Sequence, residues 1–291
     1  MPDSKHGLLC AVGAYVLWGV LPVYWKALDA VPAAQIVGHR ILWSCVLLAG
    51  LIILRGERRA FAAAAGAHRR VALYALASAL LSVNWFTYIW AVTTGRIVEA
   101  SLGYYINPLV NVLLGLVVLR ERLERLQWVA VVLAAVGVGY LTFRYGRPPW
   151  IALVLALTFA FYGLLKKTAP LGALHGLTLE TALLLLPALA YLAYAESHNR
   201  AGLLQSGWPV SGLLAGTGVV TAVPLLLFAR AARTIRLSTL GILQYLSPTC
   251  GLALGIWVYQ EAFPAERLAG FCIIWAALLI YWLDSVLRRR T

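Results

Sequence analysis

Polar side chains recur inside two long apolar runs of the chain, at spacings that place them on one face of a helix. The first set is Tyr104, Asn107 and Asn111, and the second set, 140 residues later, contains Gln244 and Ser247. Polar groups in a membrane helix tend to face the bundle interior or a water-filled cavity. The pattern therefore predicts a ligand-binding site made of hydrogen-bonding groups near the middle of the membrane, with hydrogen bonding between helices as the alternative.

Four ionisable residues also fall inside apolar runs, where a charge at the centre of a helix costs about 2.5–3.5 kcal/mol. They are His39, Arg40, Glu99 and Glu180. We interpret them as candidates for coupling transport to protons, with Glu99 favoured because it enters the membrane two turns before Asn107. The alternative is that all four lie near the membrane interfaces and are paired for structural reasons.

Aromatic residues supply candidate walls for the same site. Tyr15 and Trp18 share a stripe of the first apolar run, Trp85 and Tyr88 are near neighbours in the third, and Tyr162 lies in the sixth. Trp and Tyr usually anchor a chain at the membrane interface, but Trp18 and Trp85 lie too deep for that role. The set predicts a cavity whose ligand is amphipathic and is held by ring faces and a few amides.

A motif of Tyr-x-x-Pro followed by Glu occurs twice. Pro108 is followed after 13 residues by Glu121, and Pro248 is followed after 13 residues by Glu261. Proline cannot donate a backbone hydrogen bond, so it frees a carbonyl one turn earlier and can kink the helix there. We expect Pro108 and Pro248 to be hinges of a duplicated unit.

The composition identifies the solvent of this chain as lipid. Hydrophobic residues make up 62% and charged residues 12% of its 291 residues, with a mean hydropathy of +0.82, whereas a soluble domain is about 25% charged. Ten continuous apolar runs predict ten spans, which excludes a transmembrane β-barrel. The spans are near 8–25, 35–54, 71–92, 97–119, 126–143, 149–165, 177–195, 210–229, 237–259 and 268–287.

The basic residues cluster in alternate loops. Seventeen Lys and Arg residues lie on the side that holds both termini and six on the other side, and cytoplasmic loops carry the excess of positive charge. Both termini are therefore predicted to be cytoplasmic. The net charge of +13 does not indicate nucleic-acid binding, because the chain has no soluble domain that could carry a basic face.

Ten spans and one duplication give five spans per unit, residues 1–145 and 149–291. An odd-numbered unit must enter the membrane in the opposite sense the second time, which predicts two inverted five-helix repeats. The first apolar run lacks a cleavage pattern and is predicted to be retained. The four cysteines lack metal-ligand spacing, and we predict neither a metal nor a cofactor.

Several segments resemble the RarD-type permeases of the EamA family, in the drug/metabolite transporter superfamily. They are Tyr15-x-x-Trp18-Gly19, His39-Arg40, Glu99 to Leu109, Phe161-Tyr162-Gly163, Arg236 to Gly241, Gln244-Tyr245 and Ser247-Pro248-Thr249. The resemblance runs from end to end. It implies a bacterial inner-membrane permease of ten helices in two inverted repeats, whose fourth and ninth helices line a central cavity.

The predicted function is secondary transport of a small organic metabolite or amphipathic drug-like compound by alternating access. A channel or passive facilitator is the alternative, and proton coupling or downhill export both remain open. An integral-membrane enzyme is disfavoured because none of the five histidines has a zinc-binding spacing such as His-Glu-x-x-His. The expected partners are a small-molecule substrate and the lipid bilayer, with protons as a candidate coupling ion and no nucleic acid.

Overall fold

The structure is a computed structural model that describes residues 4–93, 96–146, 148–198, 207–258 and 265–287. All regular secondary structure in these residues is helical, so the protein is all-α as predicted. The helices are α1 (Lys5–Val20), α2 (Pro22–Lys26), α3 (Ala33–Leu54), α4 (Arg58–Ala65), α5 (His68–Thr93), α6 (Ile97–Val117), α7 (Arg125–Tyr145), α8 (Trp150–Thr168), α9 (Ala173–Ser197), α10 (Gly207–Thr234), α11 (Leu237–Leu243), α12 (Leu246–Trp257) and α13 (Ala265–Leu287).

Eight segments of the described residues are long and apolar enough to cross a membrane. They are α1 together with α2, α3, and the apolar parts of α5 to α10, and each coincides with one of the first eight predicted spans. The tenth predicted span corresponds to α13, whose apolar stretch, Leu268–Asp284, is shorter. The chain is a multi-pass membrane protein, and the count of ten spans stays a prediction.

The ninth predicted span, 237–259, is not one helix. It divides between Leu243 and Leu246, one turn before Pro248. Because Pro248 has no N–H to donate to the carbonyl of Gln244, that carbonyl accepts from Ser247 N at 3.0 Å instead. By contrast, α6 continues through Pro108 as one helix. The hinge role of the two prolines stays a prediction.

Glu121 of the repeated motif holds the start of α11. Its Oε1 accepts from Leu237 N at 2.6 Å, and its Oε2 accepts from Ser238 N at 2.9 Å and from Ser238 Oγ at 2.7 Å. A carboxylate is favourable there because the first N–H groups of a helix are unpaired and carry partial positive charge. The counterpart Glu261 lies outside the described residues.

Local signals explain other helix boundaries. Ser4 Oγ accepts from Gly7 N at 2.9 Å and caps α1, Glu124 and Gln127 form a capping box at the start of α7, and Gly146, with φ of 72°, ends α7. The short helix α4 was not predicted, because the sequence between the second and third spans reads as a basic loop. It exposes most of its side chains.

The helices pack in a pattern that puts α6 near the centre. Helix α6 packs against α8 and α11, α3 lies between α9 and α10, and α1 packs against α10 and α12. Helix α5 packs against α8 and α9, and α7 packs against α13. Large apolar side chains such as Leu126, Val129 and Val132 of α7 are exposed, as expected where lipid rather than water covers the outer surface.

Candidate functional site

A network of side-chain amides joins α6 to the break between α11 and α12. Asn107 Nδ2 donates to the Ala156 carbonyl of α8 at 2.6 Å. Asn111 Nδ2 donates to Asn107 Oδ1 at 3.0 Å and to Gln244 Oε1 at 3.1 Å. All three amide residues are buried, and Asn111 Oδ1 has no hydrogen-bond partner in the described part of the chain. Three of the predicted polar residues thus meet, and one acceptor is left that a ligand could engage.

The close crossing of α6 and α11 depends on Gly241. A Cβ at this position would lie 2.7 Å from the carbonyl oxygen of Pro108, a distance that real side chains do not tolerate. Ser247, the fourth predicted polar residue, does not join the network. Its backbone instead packs on Gly19 of α1, where a Cβ would lie 2.8 Å from Ser247 O.

The predicted aromatic residues of α1 and α8 meet around Phe228 of α10. The ring of Trp18 lies 5.6 Å from the rings of both Phe159 and Phe228. Tyr162 stacks on Phe228 with ring centres 6.1 Å apart and planes 10° apart, and Tyr15 meets the same ring at 6.3 Å. Tyr15, Tyr162 and Phe228 are fully buried. In this conformation the group, which we call the aromatic layer, is a packed barrier rather than the wall of an open cavity.

Glu180 of α9 forms a buried ion pair with Lys166 of α8. The Lys166 Nζ to Glu180 Oε1 distance is 2.7 Å, and the two side chains are 4% and 1% exposed. The Tyr162 hydroxyl donates to Glu180 Oε2 at 3.0 Å. Tyr162 therefore connects the ion pair to the aromatic layer. A carboxylate held by two donors is a reasonable place to exchange a proton, but it is also a structural link between α8 and α9.

Arg40 of α3 lies between two tryptophan rings. Its guanidinium carbon is 4.3 Å from the ring centre of Trp85 and 4.9 Å from that of Trp25. Its Nε donates to Thr221 Oγ1 of α10 at 3.0 Å. Each cation–π contact contributes about 0.5–2 kcal/mol, with the larger value in desolvated sites. These contacts offset part of the cost of placing the charge in a membrane span.

Tyr88 and Tyr104 lie beside this arginine. Their rings meet edge to face with centres 5.9 Å apart, and both side chains interact electrostatically with Arg40. Tyr104 is 41% exposed. We call Arg40, Trp25, Trp85, Tyr88 and Tyr104 the arginine pocket.

Two further coupling candidates lie outside these groups. Glu99 is buried, and its Oε1 accepts from Ile151 N at 2.9 Å, so it stabilises the first turn of α8 as Glu121 stabilises that of α11. His39 is buried next to Arg40 in sequence, and its Nδ1 has no hydrogen-bond partner among the described residues. The structure does not bring either residue into the amide network.

Comparison with known proteins identifies the family. The EamA-like transporter family model matches residues 5–143. The chain is 46% identical over 285 residues to Protein RarD of Streptomyces exfoliatus, covering 98% of this chain and 90% of that protein. It is 39% identical over 288 residues to Protein RarD of Escherichia coli, covering 99% and 97%. The chain belongs to the RarD-type permeases of the EamA family. The resemblance stated from the sequence is confirmed.

Two further matches agree with this assignment. An uncharacterized transporter of Vibrio cholerae is 43% identical over 284 residues, covering 98% of this permease and 94% of that protein. One protein of known crystal structure has a TM-score of 0.69 at 18% sequence identity, covering 96% of this permease and 98% of that chain. At that identity the likeness shows a shared fold alone. The permease is a membrane transporter.

Three residues of the permease that shape these groups were missed in the sequence. Lys166 was counted with Lys167 as a loop cation, although its side chain turns into the bundle. Phe228 and Thr221 lie in a uniformly apolar stretch of α10 and carry no signal of their own. Only a pairing rule, that a buried glutamate such as Glu180 needs a cation, could have pointed to Lys166.

Other features of the described residues offer little for binding. A cleft of about 220 Å³ between α5 and α8 is lined entirely by apolar side chains, namely Leu76, Leu80, Phe161, Leu164 and Leu165. It lacks polar groups that would orient a ligand. No group of three or more His, Cys, Asp or Glu residues that could hold a metal ion occurs among the residues that were described.

Proposed function

We propose that the permease is a secondary transporter of the bacterial inner membrane that moves a small organic compound with an apolar body. It works by alternating access, without covalent catalysis. In this proposal ten spans form two inverted five-helix repeats, residues 1–145 and 149–291, and both termini are cytoplasmic. The substrate site lies between α6 and the broken α11–α12 segment.

The observation that carries the proposal is the buried amide network at the crossing of these two helices. Side chains of Asn107, Asn111 and Gln244 are polar groups deep in a lipid-embedded bundle, beside a helix break where backbone groups are also available. Broken helices with polar side chains near the middle of the membrane are typical of substrate sites in transporters built from repeats.

Helix packing supports the repeat. The 140-residue shift matches α1 with α8, α3 with α9, α5 with α10, and α6 with α11 and α12. Exchanging the matched helices turns the α1–α10 contact into the α8–α5 contact, and the α1–α12 contact into the α8–α6 contact, and all four contacts occur. Tyr245 also donates through its hydroxyl to the carbonyl of Tyr105, its own match, at 3.1 Å.

The test is flux measurement in proteoliposomes that contain the purified full chain. An uptake screen of a metabolite mixture should identify compounds that enter faster than in protein-free liposomes. Their uptake should saturate, and unlabelled compound inside should accelerate it by counterflow. Flux that rises linearly with concentration and shows no counterflow would indicate a channel and contradict the proposal.

A matched pair of variants links the flux to the site. Gln244→Ala removes the amide that bonds Asn111 and should lower uptake. Gln127→Ala removes the same group from the capping box of α7 and should leave uptake close to that of the unmodified permease. Equal losses in the two variants would contradict the placement of the site.

A further inference from the structure

Arg40 is a charge inside a membrane span whose contacts in the described part of the chain are all with neutral side chains. Trp25 and Trp85 cover its guanidinium, and Thr221 accepts its Nε–H. The ion pairs of the described residues join other groups, Lys166 to Glu180 and His175 to Glu57. The hydrogen bonding of Arg40 uses Nε alone, so its two terminal NH₂ groups are available to another acceptor.

The arginine pocket has access to something other than packed protein. Tyr104 is 41% exposed, although it lies on the central helix α6 and its ring meets Tyr88. The opening beside Tyr104 therefore lies among α3, α5 and α6. Asn107 is one turn further along α6, so the pocket and the amide network follow one another along the same helix.

We propose that Arg40 binds the anionic group of the transported compound, and that the substrate is an organic monoanion, such as a monocarboxylate with an aromatic or apolar body. This inference rests on the proposed transport function. The planar guanidinium presents two parallel N–H groups that match a carboxylate, and the tryptophan rings hold that plane in place. The faces of the tyrosine and tryptophan rings suit an apolar body.

The charges around the pocket select a single negative charge. Lys166, the other buried cation of the described residues, is already neutralised by Glu180. One unpaired positive charge therefore faces the opening. A dianion would keep one negative charge uncompensated in a low-dielectric site, and a cation would be repelled by Arg40.

The experiment measures equilibrium binding of radiolabelled ligands to the purified full chain at neutral pH. Phenylacetate and hexanoate are each compared with their neutral amides, phenylacetamide and hexanamide. At least one carboxylate should bind roughly tenfold to hundredfold more tightly than its amide, the range for a hydrogen bond to a charged group. Equal binding of acid and amide, or no binding of either carboxylate, would overturn the inference.

Variants separate ligand binding from helix packing. Arg40→Gln should remove the preference for the carboxylate and leave amide binding unchanged. Arg40→Lys, which keeps the charge in the bundle but loses the fork, should fold and show an intermediate preference. Arg96→Gln is the matched control, because Arg96 also stacks on a tryptophan, Trp90 at 5.0 Å, but at an exposed link. A carboxylate preference that persists in Arg40→Gln would overturn the inference.

The outcome for the pocket is distinguishable from that for transport. Saturable flux of neutral compounds that is unaltered in Arg40→Gln would overturn the monoanion site and leave the transporter proposal standing. Binding of carboxylates that depends on Arg40, without saturable flux of any compound, would support the site and contradict the transporter proposal.

Discussion

Breaking the ion pair between Lys166 and Glu180 should destabilise the permease strongly. Both side chains are almost fully buried, at 4% and 1% exposure, and their charged atoms are 2.7 Å apart. Removing one partner leaves the other charge uncompensated in the bundle, which costs about 3–5 kcal/mol. Glu180→Gln and Lys166→Met should each lose stability of that order. Tyr162→Phe, which removes one hydrogen bond to the carboxylate, should cost about 1.5–3 kcal/mol.

The double variant Lys166→Met/Glu180→Gln discriminates the cause. It removes both charges, so its stability should lie well above the sum of the two single losses and close to that of the unmodified permease. Unfolding in mixed micelles with increasing sodium dodecyl sulfate measures all four proteins. The exposed pair of His175 and Glu57 has the same 2.7 Å distance at 21% and 38% exposure, and Glu57→Gln should change stability by no more than about 1 kcal/mol.

Additive losses in the double variant would refute the reasoning, as would an unchanged stability of Glu180→Gln. The result also decides how proton coupling can be tested at Glu180. A loss of transport in Glu180→Gln alone would reflect the stranded Lys166 charge. The informative comparison is Lys166→Met against Lys166→Met/Glu180→Gln, because both lack the lysine.

Three other predictions concern topology, the amide network and coupling. In a cysteine-free background of whole cells, Ser4→Cys should resist an impermeant thiol reagent and Asp29→Cys should react, because the basic residues predict a cytoplasmic N-terminus; labelling at Ser4 would contradict the topology. Asn107→Ala should weaken substrate binding by about 1–3 kcal/mol, measured as flux, while thermal stability stays nearly intact; a main effect on folding would identify Asn107 as a link between helices. Glu99→Gln should keep counterflow and lose the response of net flux to an imposed pH gradient, and an unchanged response would remove Glu99 as the coupling group.

The sequence predicted the amide network better than its surroundings. Asn107, Asn111 and Gln244 stand out because each is a polar residue in a long apolar run, and an amide in lipid must find partners. Ser247 had the same signal but packs through its backbone against α1. A period of residues locates a helix face, whereas the neighbour that face meets is decided by tertiary contacts.

The broken ninth span shows a second limit. Pro108 and Pro248 stand in the same local motif, yet α6 is continuous and the second copy is divided. A proline removes one hydrogen bond in both places, so the difference must come from packing. Gly241 lets α11 press against the Pro108 carbonyl, and this contact supports α6 just where α12 turns away. No pattern within either helix records it.

The three groups along the bundle suggest how a substrate would cross. A compound in the arginine pocket could reach the amide network along α6, but the buried layer of Tyr15, Tyr162 and Phe228 would then block it. Opening that layer separates stacked rings and strains the hydrogen bond of Tyr162 to Glu180, so it is unfavourable unless other interactions form at the same time. In the proposed inverted repeat, each pair of helix faces that separates on one side has a matched pair that can close on the other. The exchange would keep the two end states near in free energy, as alternating access requires.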